Sequence, residues 1–127
     1  QSGCGTNQQF DDYPGTTTDP IDFNWQNAGA DQEYWGFNVA SSTDPTDITQ
    51  RFKDDGSQCN SGNNVSNEKC WVRIPTDPNI EMIGNRNTWT SQSGTTITIG
   101  IRIQAGSNNF LKSGNYTTTL VATAAMN

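Results

Sequence analysis

Four isoleucines at alternate positions constrain this chain more than any other feature. Ile97, Ile99, Ile101 and Ile103 are separated by Thr98, Gly100 and Arg102. Successive side chains of an extended strand point to opposite faces, so this period puts all four isoleucines on one side. β-branched residues suit such a pleated, half-buried surface. After a polar break over residues 105–114, residues 115–125 resume a β-rich pattern in which Tyr116, Leu120, Ala122 and Ala124 share a face. Two long strands are expected here, with the isoleucine face as the main core.

The remainder reads as shorter strands between turns. Ile21, Phe23 and Trp25 alternate with Asp22 and Asn24, and Trp35, Phe37 and Val39 alternate over residues 34–40. Residues 48–52 suit a short strand or one helical turn. Further strands are expected over residues 70–74, 80–83 and 87–92. Pro75 and Pro78 mark a turn between two of them, because proline fixes φ and cannot donate to a sheet. Residues 1–20 do not alternate, and Phe10 and Tyr13 are their large apolar groups. The pattern predicts an all-β fold: an antiparallel Ig-like β-sandwich of about seven or eight strands over residues 21–127, preceded by an extended N-terminal arm over residues 1–20. A small barrel is the alternative.

Composition bounds the chemistry. Charged residues are 16% of the 127 and apolar residues 31%, with 12 glycines and abundant Thr, Asn and Ser, which suits exposed strand faces and turns. Net charge is −6, and the seven Lys and Arg are scattered. Nucleic acid is an unsuitable partner, since phosphate binding needs clustered cations. No stretch has the length and apolarity of a membrane-spanning helix, so no membrane insertion is expected. The absence of histidine rules out Ser-His-Asp and Cys-His nucleophiles and every His-containing metal site. Asp11, Asp12, Asp54, Asp55, Glu33, Glu68 and Glu81 are the carboxylates available for glycoside chemistry. Their positions suit the turns and loops of an acidic protein better, and no enzyme activity is expected. Asp54 and Asp55 lack the alternating ligands of an EF-hand loop, although an acidic extracellular loop of this kind can still hold Ca²⁺; neither a metal nor a cofactor is assigned.

Cys59 and Cys70 flank a polar loop that a disulfide would pin, contributing about 2–3 kcal/mol by the chain-entropy estimate. Cys4 is then the odd thiol, a candidate for an intermolecular bridge if it is neither free nor paired differently. Among the four tryptophans, Trp25 and Trp35 are in phase with apolar neighbours and read as core. Trp71 is out of phase with Val72 and Ile74, which makes it the candidate exposed aromatic for a sugar ring. Asn64 (with Ser66) and Asn115 (with Thr117) are glycosylation sequons.

Ser113, Gly114, Asn115 and Tyr116, followed by the threonines 117–119, resemble the closing strand of bacterial surface β-sandwich domains, including pilin-like fibre subunits. There, Gly-x-Tyr-Thr opens a Thr-rich alternating strand. The resemblance implies an extracellular structural or adhesive role and carries over no active-site residue. Isopeptide-stapled pilins differ, because Lys53, Lys69 and Lys112 do not fall on an obvious core strand here. The expected function is a secreted, cell-surface filament subunit assembling with copies of itself by strand addition. Phe10, Tyr13, Ile21 and Phe23 are the expected contact residues of its arm. The alternative is a monomeric carbohydrate-binding module or adhesin domain recognising surface glycans.

Overall fold

The computed structural model describes residues 11–14, 21–75, 80–86, 94–108 and 121–123. Among them, regular structure is mostly strand, and helix is confined to two 3-10 turns, Pro45–Asp47 and Gln50–Phe52. The all-β expectation holds at that level.

The four-stranded sheet is built around β2, Glu33–Ser42. β1 is Asp11–Asp12, β3 is Val72–Arg73 and β4 is Ile97–Ala105. β4 runs antiparallel along the whole of one edge of β2, from Glu33 opposite Ala105 to Ser42 opposite Ile97, with an irregularity between Val39 and Ser41. The other edge is divided end to end. β1 pairs there with Tyr34 and Trp35, and β3 with Gly36 and Phe37. β1 is parallel to β2, so the sheet is mixed and not purely antiparallel.

Both faces of β2 are covered. Phe37 and Val39 lie on one face, in a core with Ile48, Phe52, Val72 and Ile74. Ile21, Trp35, Val65, Ile83 and Ile97 pack against its margin. Tyr34 lies on the other face, in a second cluster with Tyr13 and Trp71, flanked by Trp25 and Ala28. Gly36 makes this second layer possible. A Cβ there would fall 2.7 Å from the Val72 carbonyl oxygen and 3.0 Å from Tyr13 Cβ.

A polar clamp closes the first core. Asp47 is buried, and its Oδ2 accepts from Arg86 Nη1 at 2.8 Å and from the Thr95 hydroxyl. Its backbone oxygen accepts from Asn85 N at 2.8 Å. Asp44 caps the turn before it, accepting from Thr46 N at 3.1 Å.

Several expectations are corrected. Residues 21–25 form no strand; Asp22 makes one bridge to Trp71. Residues 48–52 combine a bridge from Ile48 to Gly84 with the Gln50–Phe52 turn, and residues 80–83 form no strand. Residues 11–14 do not belong to a free arm. Tyr13 N donates to the Trp35 oxygen at 3.0 Å, and its side chain is fully buried in its own chain. The expected strand at residues 87–92 and most of that at 115–125 lie outside the described residues.

The isoleucine face requires the largest correction. The register places Ile99, Ile101 and Ile103 opposite Val39, Phe37 and Trp35, hence on the side of the first core. Nevertheless they remain 40%, 48% and 53% exposed. Among the described residues, the elements over that core cover β2 and reach β4 only at Ile97. Phe37→Ala should therefore destabilise the chain by about 3–5 kcal/mol, as for a buried aromatic. Ile101→Ala should cost about 1 kcal/mol or less in the monomer, scaling with its smaller buried area. Urea unfolding of both variants measures the contrast, and equal losses would contradict this placement of the core.

Candidate functional site

Three places bring chemistry-bearing residues together: the aromatic cluster, the disulfide loop and the outer part of β4. In the first, Tyr13 Oη donates to Asp22 Oδ2 at 2.7 Å and accepts from Gln26 N at 2.9 Å. The ring lies 4.5 Å from that of Trp25, and Trp71 meets Trp25 edge-on at 5.0 Å. Burial first, then the bond to Asp22, holds the Tyr13 phenol above its ordinary range.

Trp71 is corrected from its expected role as a sugar-stacking aromatic. It is 1% exposed, and its Nε1 donates to the Glu68 oxygen at 3.1 Å. The alternation that puts it opposite Val72 is right, but a second apolar layer waits on that side. Trp25 is the half-exposed member of the group. Tyr13 lies against its ring, the Arg102 guanidinium sits 5.1 Å from its centroid, and its Nε1 donates to Gln104 Oε1. Arg102 Nη1 reaches Glu68 Oε2 at 3.5 Å, and Gln104 Nε2 donates to Asn27 Oδ1 at 3.2 Å. This rim consolidates the cluster, since its polar groups are turned on one another and on Trp25. Sequence reasoning missed Arg102 and Gln104. Their only signal is that they alternate with the isoleucines.

Of the expected arm contacts, Ile21 packs at the margin of the first core. Phe23 is half-buried beneath the Lys69 ammonium, 4.3 Å from its centroid, while Lys69 Nζ donates to Asn24 Oδ1 at 2.6 Å. With Tyr13, both are engaged within their own chain. Phe10, Cys4 and Asn115 lie outside the described residues.

Cys59 and Cys70 form the expected disulfide, with a Cα–Cα distance of 5.7 Å. Asp54, ahead of the bridge, and Asn64, inside the loop it closes, exchange backbone hydrogen bonds at 2.9 and 3.1 Å, and Asn64 is exposed. The carboxylates serve loop geometry. Asp54 Oδ1 accepts from Gly56 N at 2.9 Å, and Asp55 Oδ1 accepts from the Ser57 hydroxyl at 2.7 Å and from Ser57 N and Gln58 N. The Ser57 hydroxyl, followed by these amides, holds the Asp55 carboxyl well below the usual carboxylate range. Glu81 pairs with Arg51 at 3.1 Å. Among the described residues, no group of three or more Asp, Glu, Cys or His side chains is arranged to hold a metal.

The outer part of β4 differs in kind. Among the described residues β4 pairs only with β2, so its second edge has no backbone partner there, beside three exposed isoleucines. No family model matches the chain, and neither a curated protein nor a solved structure matches it.

Two outcomes follow from this geometry. Reducing or replacing the Cys59–Cys70 bridge should cost about 2–3 kcal/mol, read from unfolding curves with and without reductant. Peptide mapping of the native protein should recover the linked pair. The Tyr13 phenol sets an alkaline limit. Its folded pKa is raised, so its contribution is complete below the unfolded value, near 10, and is lost as pH rises through the folded value. Stability measured from pH 8 to 12 should fall above about pH 10. In Tyr13→Phe that alkaline loss should shrink, while stability at neutral pH drops by about 1–3 kcal/mol from the broken bond to Asp22.

Proposed function

We propose that this chain is a secreted structural subunit of a cell-surface filament, pilin-like in kind, assembling with copies of itself by strand addition. The domain is read as an Ig-like β-sandwich of about seven or eight strands, completed by segments outside the described residues. One observation carries the assembly reading: β4 presents an edge with no partner among the described residues together with three exposed isoleucines. An edge strand offers a row of N–H and C=O groups to an incoming strand, and the adjoining apolar face provides the burial. The disulfide fits an oxidising, extracellular setting. The Thr-rich segment from Gly114 resembles the closing strand of surface fibre domains.

A monomeric carbohydrate-binding module draws less support from the same structure. Trp71 is buried, and the Trp25 ring lies between Tyr13 and Arg102, leaving it poorly placed to stack on a sugar. Negative-stain microscopy of material from the native source separates the two readings. Rods are expected, whereas uniform isolated particles would overturn the filament reading and favour the binding module.

A further inference from the structure

Residues 68–71 tie the aromatic cluster to the rest of the molecule through their backbone. The Glu68 oxygen accepts from Trp71 Nε1 at 3.1 Å, and the Lys69 oxygen accepts from Asn38 Nδ2 at 3.0 Å. Cys70 N donates to the Phe23 oxygen at 3.3 Å, and Trp71 N donates to the Asp22 oxygen at 2.9 Å. These bonds set the Trp71 ring edge-on against Trp25, 5.0 Å between centroids.

The path that makes these contacts is unfavourable for the residues on it. Glu68 has a φ of 60° and Cys70 a φ of 58°, while Asn60, next to Cys59, has a φ of 59°. Left-handed backbone is costly for a residue with a Cβ, less so for asparagine than for glutamate or cysteine. Cys70 is at once left-handed, buried and covalently tied. We propose that the Cys59–Cys70 bridge is a redox latch. The bond holds residues 68–71 in this path, and its reduction releases them and uncovers Trp71 while the first core stays folded. The latch goes beyond the assembly reading and does not depend on it.

The step is a thiol–disulfide exchange with a dithiol reductant. A thiolate of the reductant attacks Cys59 Sγ, since Cys59 is half-buried whereas Cys70 is 2% exposed. The bond between the two protein sulfurs breaks, and Cys70 leaves as a thiolate and takes a proton. The second thiolate of the reductant then displaces Cys59 from the mixed disulfide, and Cys59 takes the other proton. Two electrons pass to the protein, and the reductant is left as its cyclic disulfide. Without the bond, Glu68 and Cys70 relax to right-handed or extended backbone. That turns Cys70 N and Trp71 N away from Phe23 and Asp22, and Trp71 loses its seat. Val72, the next residue, stays paired with Phe37 in β3. Among the described residues the first core takes no side chain from residues 68–71, so the opening ends at β3.

Amide hydrogen exchange of the full chain, with and without dithiothreitol, tests the latch. Loss of loop constraint alone would speed every amide that exchanges through global unfolding by one common factor. A latch adds a local opening. On reduction, the amides of Asp22, Cys70 and Trp71 should accelerate by about tenfold or more beyond those of the β2–β4 ladder, and reoxidation should restore them. One common factor for all amides, a reduced chain without protected amides, or an unchanged Trp71 amide would each overturn the latch. So would a bridge that dithiothreitol leaves intact in the folded chain, because a latch has to be reachable.

Discussion

The structure depends on β2 being used on all four of its sides. β4 occupies one edge along its whole length, β1 and β3 divide the other, and an apolar layer lies on each face. Over residues 34–37 the backbone of β2 has strand neighbours on both edges, and an unpaired buried group there would be costly. That constraint explains why residues as distant in sequence as Tyr13, Val72 and Ile101 converge on one short stretch. It also explains Gly36 and Gly100. Gly36 leaves room for the second layer, and at Gly100 a Cβ would fall 2.3 Å from Asn38 Oδ1. Asn38 itself is buried and donates from Nδ2 to the Lys69 oxygen at 3.0 Å, tying β2 to the end of the disulfide loop.

Polar groups hold the irregular segments against this strand. Tyr13 reaches Asp22, and Asp22 exchanges backbone hydrogen bonds with Trp71 at 3.0 and 2.9 Å, so residues 11–14 and 21–25 are fixed together to the residue before β3. Asp47, Arg86 and Thr95 do the same for three segments on the side of the first core. The buried carboxylates of Asp22 and Asp47 are each matched to a donor from a distant segment, which makes the bonds specific as well as stabilising. Removing one partner would leave the other buried without its complement. The loop closed by Cys59 and Cys70 is held covalently as well, which reduces its entropy.

How much of this could be read from the sequence depends on whether the signal was local. Alternation over residues 97–105 gives β4, and alternation in Trp35, Phe37 and Val39 gives most of β2. The spacing and polar surroundings of Cys59 and Cys70 give the disulfide. Burial was less legible, because a period of two assigns faces and says nothing of what covers them. Trp71 falls on the side opposite Val72, and that side is filled by Tyr13, from residues that do not alternate, and by Trp25, from residues whose alternation gave no strand. Two residues of parallel strand at Asp11–Asp12 are too short to leave a periodic trace. The aromatic cluster was illegible for the same reason: Tyr13, Trp25, Trp71, Arg102 and Gln104 come from four segments that meet only once β2 has gathered them.

The two faces of β4 differ in how far their side chains are covered. On the face shared with Tyr34, Arg102 and Gln104 are half-buried and bonded to Glu68, Trp25 and Asn27. On the face shared with Phe37, three β-branched side chains remain in water beside a core that is otherwise closed. Edge strands of soluble domains are usually blunted by charge, proline or a bulge, and β4 has none of these on its isoleucine face. Its charged residue, Arg102, points to the other side and is engaged there with Trp25 and Glu68. The irregularity between Val39 and Ser41 lies near the far end, close to Ile97 and Thr98, and leaves the Ile99 to Ile103 register regular. Such an edge left bare would favour indiscriminate association. Three exposed isoleucines beside an edge strand form a surface whose burial would be favourable.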